Sequence, residues 1–244
     1  MNVQLARHLF VRVLRGKRLI GSIALASIAG FAAWVSVIGQ SAGEGEAVFR
    51  EVTASVPAAT LSIAVLFLST AVLRDERDGG TLPFLFVTPI SRPVFAMSAW
   101  LAAAGASAVV AVAGWLMVLL AGGLGLGSWT VAFPVLATYV AAAVAYSAIF
   151  VPLGYLFSRS LLVGLGYVFV WEGILATVVS GISASSVWRI SMAIYADLTD
   201  LPAGALEVLG SVMPGTGGSV VTIGILVALG ISVLVWAMRY RDAV

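Results

Sequence analysis

Apolar residues fall in long unbroken runs, and polar positions are gathered into short stretches between them. Such runs show neither the alternation of a half-buried strand nor the single stripe of a surface helix. Read against the roughly 20 residues needed to cross about 30 Å of hydrocarbon, they predict six spans at 20–39, 52–73, 93–121, 130–157, 161–180 and 216–238. The third and fourth come from one stretch, 93–158, that has no formal charge and divides at the glycine-rich sequence Gly122-Gly123-Leu124-Gly125-Leu126-Gly127-Ser128. The fold class expected is therefore all-α, a polytopic membrane protein forming a single transmembrane domain over 1–244.

Composition agrees: 61% of residues are hydrophobic, 10% are charged and the mean hydropathy is +1.10. The chain has no cysteine, which excludes disulfides, thiolate metal sites and cysteine nucleophiles. Eleven of the thirteen basic residues flank the spans on one face, leaving Arg50 and Arg189 on the other with six acids. By the positive-inside rule both termini and the 74–92 loop are cytoplasmic, in a multi-pass plasma membrane protein of prokaryotic type. The net charge of +2 follows from these flanks, so it is not read as nucleic-acid binding.

Ahead of the first span, residues 1–18 can be wound as an interfacial elbow helix, with Val3, Ala6, Phe10 and Val13 on one face and Gln4, His8, Arg12 and Arg15 on the other. The alternative is a basic flank that only orients the span. Trp34, Trp129 and Trp188 on one side and Trp100 and Trp236 on the other are placed as interfacial anchors. Residues 181–215 are too apolar for a free loop. Val187, Ile190, Ile194 and Leu198 give a short helix there an apolar face, Pro202 ends it, and a second apolar piece covers 205–213. A re-entrant or interfacial pair in the outer leaflet is expected.

Two places carry candidate chemistry. Glu172 lies inside the fifth span, where a charged carboxylate facing lipid costs on the order of 3 kcal/mol, so it serves either a transport pathway or a helix-packing hydrogen bond, for example to Tyr146 or Tyr155. The loop 74–92 holds an acidic cluster, a Gly79-Gly80 break, Thr81 as an N-cap, the apolar Leu82, Phe84, Leu85, Phe86 and Val87, a stop at Thr88-Pro89, and Ser91 capping the next span. A short apolar helix held between two spans suits a groove on a soluble partner; resting in lipid headgroups is the alternative.

The pattern Glu76-x-x-x-Gly80-Thr81-Leu82-x-x-Leu85-x-x-x-Pro89-x-Ser91-Arg92 resembles that of the second-type ATP-binding-cassette (ABC) permeases, although Pro83 departs from it. The resemblance implies a coupling helix that seats on an ATPase subunit, with Glu76, Gly80, Thr81, Leu82, Phe84, Leu85, Pro89 and Arg92 as its coupling residues. It also implies an elbow helix, a re-entrant pair before the last span, and a second copy of this chain or a similar permease. The chain has no Gly-rich phosphate loop ending in Gly-Lys-Ser/Thr, so it is not expected to be an enzyme by itself. ATP and Mg would bind the partner ATPase, and this chain would hold no cofactor or metal. The cargo expected is small or amphipathic, and export is the family's usual direction. The rival expectation is a stand-alone ion-coupled secondary transporter that uses Glu172.

Overall fold

The computed structural model describes residues 3–39, 42–80, 90–127, 129–178, 184–199 and 215–240, and every regular element among them is helical. Helices α1 (Val3–Leu14), α2 (Lys17–Val37), α3 (Ala42–Asp78), α4 (Arg92–Gly125) and α5 (Ala132–Leu156) come first. Helix α6 (Ser160–Gly166) runs without a break into a π-helical stretch, π1 (Tyr167–Leu175), and a last α turn, α7 (Ala176–Val178). Helices α8 (Val187–Thr199) and α9 (Gly215–Tyr240) complete the order.

Five of these, α2, α3, α4, α5 and α9, are long and apolar enough to cross a membrane, which is the character of a multi-pass membrane protein. The expected fifth span, 161–180, is described only as far as Val178: the helix runs unbroken over 160–178, at most about 28 Å at the α-helical rise, and 179–180 lie outside the described residues. Helix α3 is longer than its expected 52–73, because Glu44, Glu46, Arg50 and Glu51 are wound into the same helix instead of a loop. Helix α4 likewise continues past 121 to Gly125, beyond which Gly127 takes a positive φ of 68° that a side chain would resist.

Helix α5 is the hub. It touches α3, α4, α6, α8 and α9, and its buried residues run from Pro134 to Tyr155. Helix α2 covers α3 and α4, while α1 lies against the N-terminal part of α4. The α1 face differs from the expected one: Leu5 and Leu9 are its most buried residues, joining Phe95, Ala99 and Tyr155, and Phe10 rests on Gly105. Trp188 is also corrected. It is buried and donates its indole N–H to the Ala54 carbonyl at 2.8 Å, whereas Trp34, Trp129 and Trp236 are exposed. Ser91 occupies the N-cap position of α4, but its side chain makes no capping bond.

Small residues set the closest approaches. A Cβ on Gly154 would stand 2.5 Å from the Thr70 carbonyl oxygen, and one on Gly230 would stand 2.2 Å from that of Ala148. Backbone therefore packs directly on backbone where α5 meets α3 and α9. Gly154→Val must push α3 and α5 apart, and is expected to cost about 1–3 kcal/mol. The check is a lowered midpoint of thermal unfolding in detergent.

Candidate functional site

At the end of the bundle where α3 stops and α4 starts, charges are paired rather than dispersed. Glu76, in the last turn of α3, is 2% exposed, and it accepts a hydrogen bond from Arg12 Nη1 across 64 residues of sequence. One residue earlier, both Asp75 oxygens receive Arg18 Nη1 at 2.6 Å, and Arg12 Nη2 reaches the Asp75 carbonyl at 3.5 Å. Arg77 Nη1 donates to the Tyr155 carbonyl at 3.2 Å, tying α3 to the end of α5. Arg74 and Asp78 pair along the helix at 3.2 Å. Helices α1 and α2 are thus strapped to the turn of α3 that precedes the 81–89 segment.

The apolar packing explains why Arg12 can reach. Leu5 and Leu9 bury one side of α1, and Arg12 follows Leu9 by three residues, so its stem leaves the same part of the helix toward α3. Breaking a buried pair is costly because it strands a charge, but Arg12 is 41% exposed and water screens part of the interaction.

Gly80 turns with φ 64° just past α3, and Arg92, exposed, opens α4. Thr81, Leu82, Phe84, Leu85 and Pro89 lie outside the described residues, as do Pro202 and 205–213. The structure therefore brings Glu76 together with Arg12, Arg18 and Asp75, three residues that the pattern in the loop did not single out. Arg12 was assigned to a wet face, and only the fold reveals that this face turns partly toward α3.

A second polar centre lies at the opposite end of the chain order, on π1. Glu172 is half-buried and accepts three hydrogen bonds: from the Tyr167 hydroxyl at 2.9 Å, from the Ser186 hydroxyl, and from the Val187 backbone N–H at 2.9 Å. Tyr146, one of the two partners expected for Glu172, faces the same carboxylate from α5, where it is fully buried. Ser186 caps α8 in turn, its Oγ accepting the Arg189 N–H at 3.2 Å. Glu172 therefore satisfies a donor that the first turn of α8 leaves open, and its charge faces the positive end of the helix dipole.

The far end of α8 repeats the device. Asp197 Oδ2 accepts the Thr216 N–H at 3.1 Å in the first turn of α9. The Thr216 side chain and then this N–H hold the Asp197 carboxyl below its usual range. Between these two links, Trp188 ties α8 to α3 and stands at a tilt to Tyr139 of α5, with ring centroids 6.2 Å apart. Among the described residues no group of His, Asp and Glu could hold a metal ion.

No family model and no curated protein matches the chain. The functional reading therefore stands on these residues and on the loop pattern.

Arg12→Ala is expected to loosen α1 by about 1–2 kcal/mol, less than a fully buried pair because of that exposure. Hydrogen exchange should show faster amide exchange in 3–14 with α5 unchanged. For Asp197 the sign follows from a lowered folded-state pKa: its contribution is present above the ordinary value of 3.8 and is lost as pH falls through the folded value. Acidification in that window should speed amide exchange at the start of α9, and Asp197→Asn should remove that dependence.

Proposed function

We propose that the chain is the membrane-spanning subunit of an ABC transporter of the second type, moved by ATP hydrolysis on a separate subunit. The observation that carries this reading is the strapping of α1 and α2 onto the last turn of α3 through Arg12–Glu76 and Arg18–Asp75. A loop that receives a push from a soluble motor must be mounted on a stiff base, or the push is lost in bending. Residues 81–89 follow that turn directly, Arg77 braces it against α5, and α4 begins at Arg92. Force applied to Leu82, Phe84 and Leu85 would then reach α3, α4, α5 and the elbow helix together, as a rigid-body motion.

In this reading α1 is the elbow helix, both termini and the 74–92 loop face the cytoplasm, and the helix 160–178 belongs to the fifth of six crossings. Glu172 lies 13 residues past Arg159, roughly 20 Å up a helix. Its bonds to Ser186 and Val187 support α8 starting within the membrane and rising toward the outer surface, as a re-entrant element. A second copy of this chain or a similar permease completes the pathway. Large apolar side chains stand exposed along α9 and π1, among them Val221, Ile225, Phe169 and Ile174, as a face turned to lipid or to another subunit requires. The cargo class is a small or amphipathic molecule, and the direction export.

The deciding experiment is affinity purification of the tagged chain from its native membrane in mild detergent, with mass spectrometry of what comes with it. A soluble ATPase is expected with the native chain and lost from a Phe84→Asp, Leu85→Asp variant that keeps its thermal unfolding midpoint. A native preparation free of ATPase, with transport abolished by Glu172→Gln, overturns the reading in favour of an ion-coupled secondary transporter.

A further inference from the structure

Among the described residues, open polar atoms gather where α3, α5 and α8 meet. The Arg50 Nε–H and the hydroxyls of Thr53, Tyr139 and Tyr195 are each buried without a hydrogen-bond partner. Tyr139 is 1% exposed, and Thr53 and Tyr195 are 3% exposed. Buried polar groups are nearly always bonded, so four open ones in a single seam call for a cause.

Helix periodicity puts these groups together. On α3, Glu46, Arg50, Thr53 and Ala54 fall within an arc of about 100°, one face of the helix. On α8, Trp188 and Tyr195 are two turns apart on one face, separated by about 10 Å along the axis. Trp188 fixes the register of the two faces, since its indole N–H bonds the Ala54 carbonyl at 2.8 Å. Tyr195 falls opposite the turns that carry Arg50 and Glu46, the two charges that act on it. Tyr139 stands on α5 beside both, its ring 6.2 Å from that of Trp188 and its phenol within electrostatic reach of Tyr195. Helix α8 rests on α5 and α9, and Trp188 joins it to α3 across this seam.

Every open atom of the seam can donate, and one belongs to a cation. A hydroxyl can also accept, but a guanidinium N–H cannot, so the group that satisfies Arg50 must bring an acceptor. Glu46 accepts from Arg50 Nη2, and it is 50% exposed, so water screens its charge. That bond orients the planar guanidinium and leaves its buried Nε–H edge open to another acceptor. A fixed guanidinium edge with hydroxyls beside it is a donor set for a negatively charged oxygen.

We propose that this seam is a binding site for an oxyanion, the carboxylate or phosphate group of a small molecule. Arg50 Nε and the Thr53 and Tyr195 hydroxyls donate to its oxygens, and Tyr139 backs Tyr195 from α5. Phe49 and Trp188, buried in the same apolar cluster, border the charge with apolar surface. The site stands on α3, α5 and α8 alone, whichever energy source drives transport.

The test is the thermal unfolding midpoint of the purified chain in an uncharged detergent, titrated with hexanoate, inorganic phosphate or hexylamine. An anion that binds the folded chain raises the midpoint saturably, and hexylamine is expected to leave it in place. Tyr195→Phe keeps the ring and removes one donor to a charged acceptor, so it should weaken the apparent affinity about tenfold. Arg50→Gln should abolish the response, while Arg50→Lys, which keeps the charge without the fork, should leave it weakened. A response to phosphate marks a site for the free anion, and a response to hexanoate alone marks one for an amphipathic carboxylate. A midpoint that moves equally with hexanoate and hexylamine, or with neither anion, overturns the site. So does a response that is the same in the native, Tyr195→Phe and Arg50→Gln chains, and the seam is then a packing interface only.

Discussion

Helices surrounded by apolar medium gain little from burying one leucine against another, so the distance to which backbones can approach decides which helices stay together. This constraint is written into α5. Gly154 lets Thr70 of α3 press against it, and Gly230 of α9 presses on Ala148. Helix α2 is seated on α4 by the same means, since a Cβ on Gly30 would fall 2.5 Å from Met117. Alanine and serine fill the remaining contact faces of α4, from Ala96 to Ala111. Large side chains are displaced outward by this arrangement, which is why Val221, Leu229, Phe169 and Phe133 stand exposed without any defect in the core.

Close backbone packing leaves few places for charge, and the chain treats each in the same way: an acid is paired with a donor that would otherwise be unsatisfied. Glu76 takes a guanidinium from a helix 64 residues away. Glu172 takes the first amide of α8, and Asp197 takes an amide in the first turn of α9. The last two form a series, with one acid before α8 and another near its end, so α8 is suspended between π1 and α9 by carboxylates at both ends. Its flank is pinned to α3 by Trp188. Between those ends α8 is buried from Val187 to Ala196 apart from Arg189, so it is packed into the bundle against α5 and α9.

How much of this was legible beforehand depended on the range of the interaction. The runs that became α2, α4, α5 and α9 announced themselves because crossing length and apolarity are local properties. The charged start of α3 was misplaced into a loop, since Glu44, Glu46 and Glu51 look like surface chain until Glu46 and Arg50 are seen paired on one helix at the i,i+4 spacing. The buried face of α1 was misjudged by about one residue's rotation because Leu5 and Leu9 are selected by α4, which the local pattern cannot know. Trp188 looked like an interfacial anchor for the same reason: its carbonyl partner, Ala54, is 134 residues away. The loop pattern drew attention to Glu76, while its partner Arg12 lay on the polar face of the expected elbow helix and Arg18, the partner of Asp75, at the end of that segment. The π geometry of 167–175 had no signal in composition, because Tyr-Val-Phe-Val-Trp-Glu-Gly-Ile-Leu suits an α-helix equally well.

That equality is itself informative. A sequence with no intrinsic preference for the wider helix adopts it only where outside contacts repay the poorer ladder. The contacts of π1 include Phe150 against Tyr167, packing on α3, and the three donors on Glu172. Two of those donors come from Ser186 and Val187, so the geometry of 167–175 and the seating of α8 meet at one carboxylate. Phe150 and Tyr146 continue that contact into α5. Helix α5 in turn meets α3 at Gly154, next to Tyr155, whose carbonyl receives Arg77 at the end of α3 where Glu76 and Asp75 are strapped to the N-terminal helices. A continuous path of packed backbone and paired charge thus joins the base of the 81–89 segment, through α5, to α8.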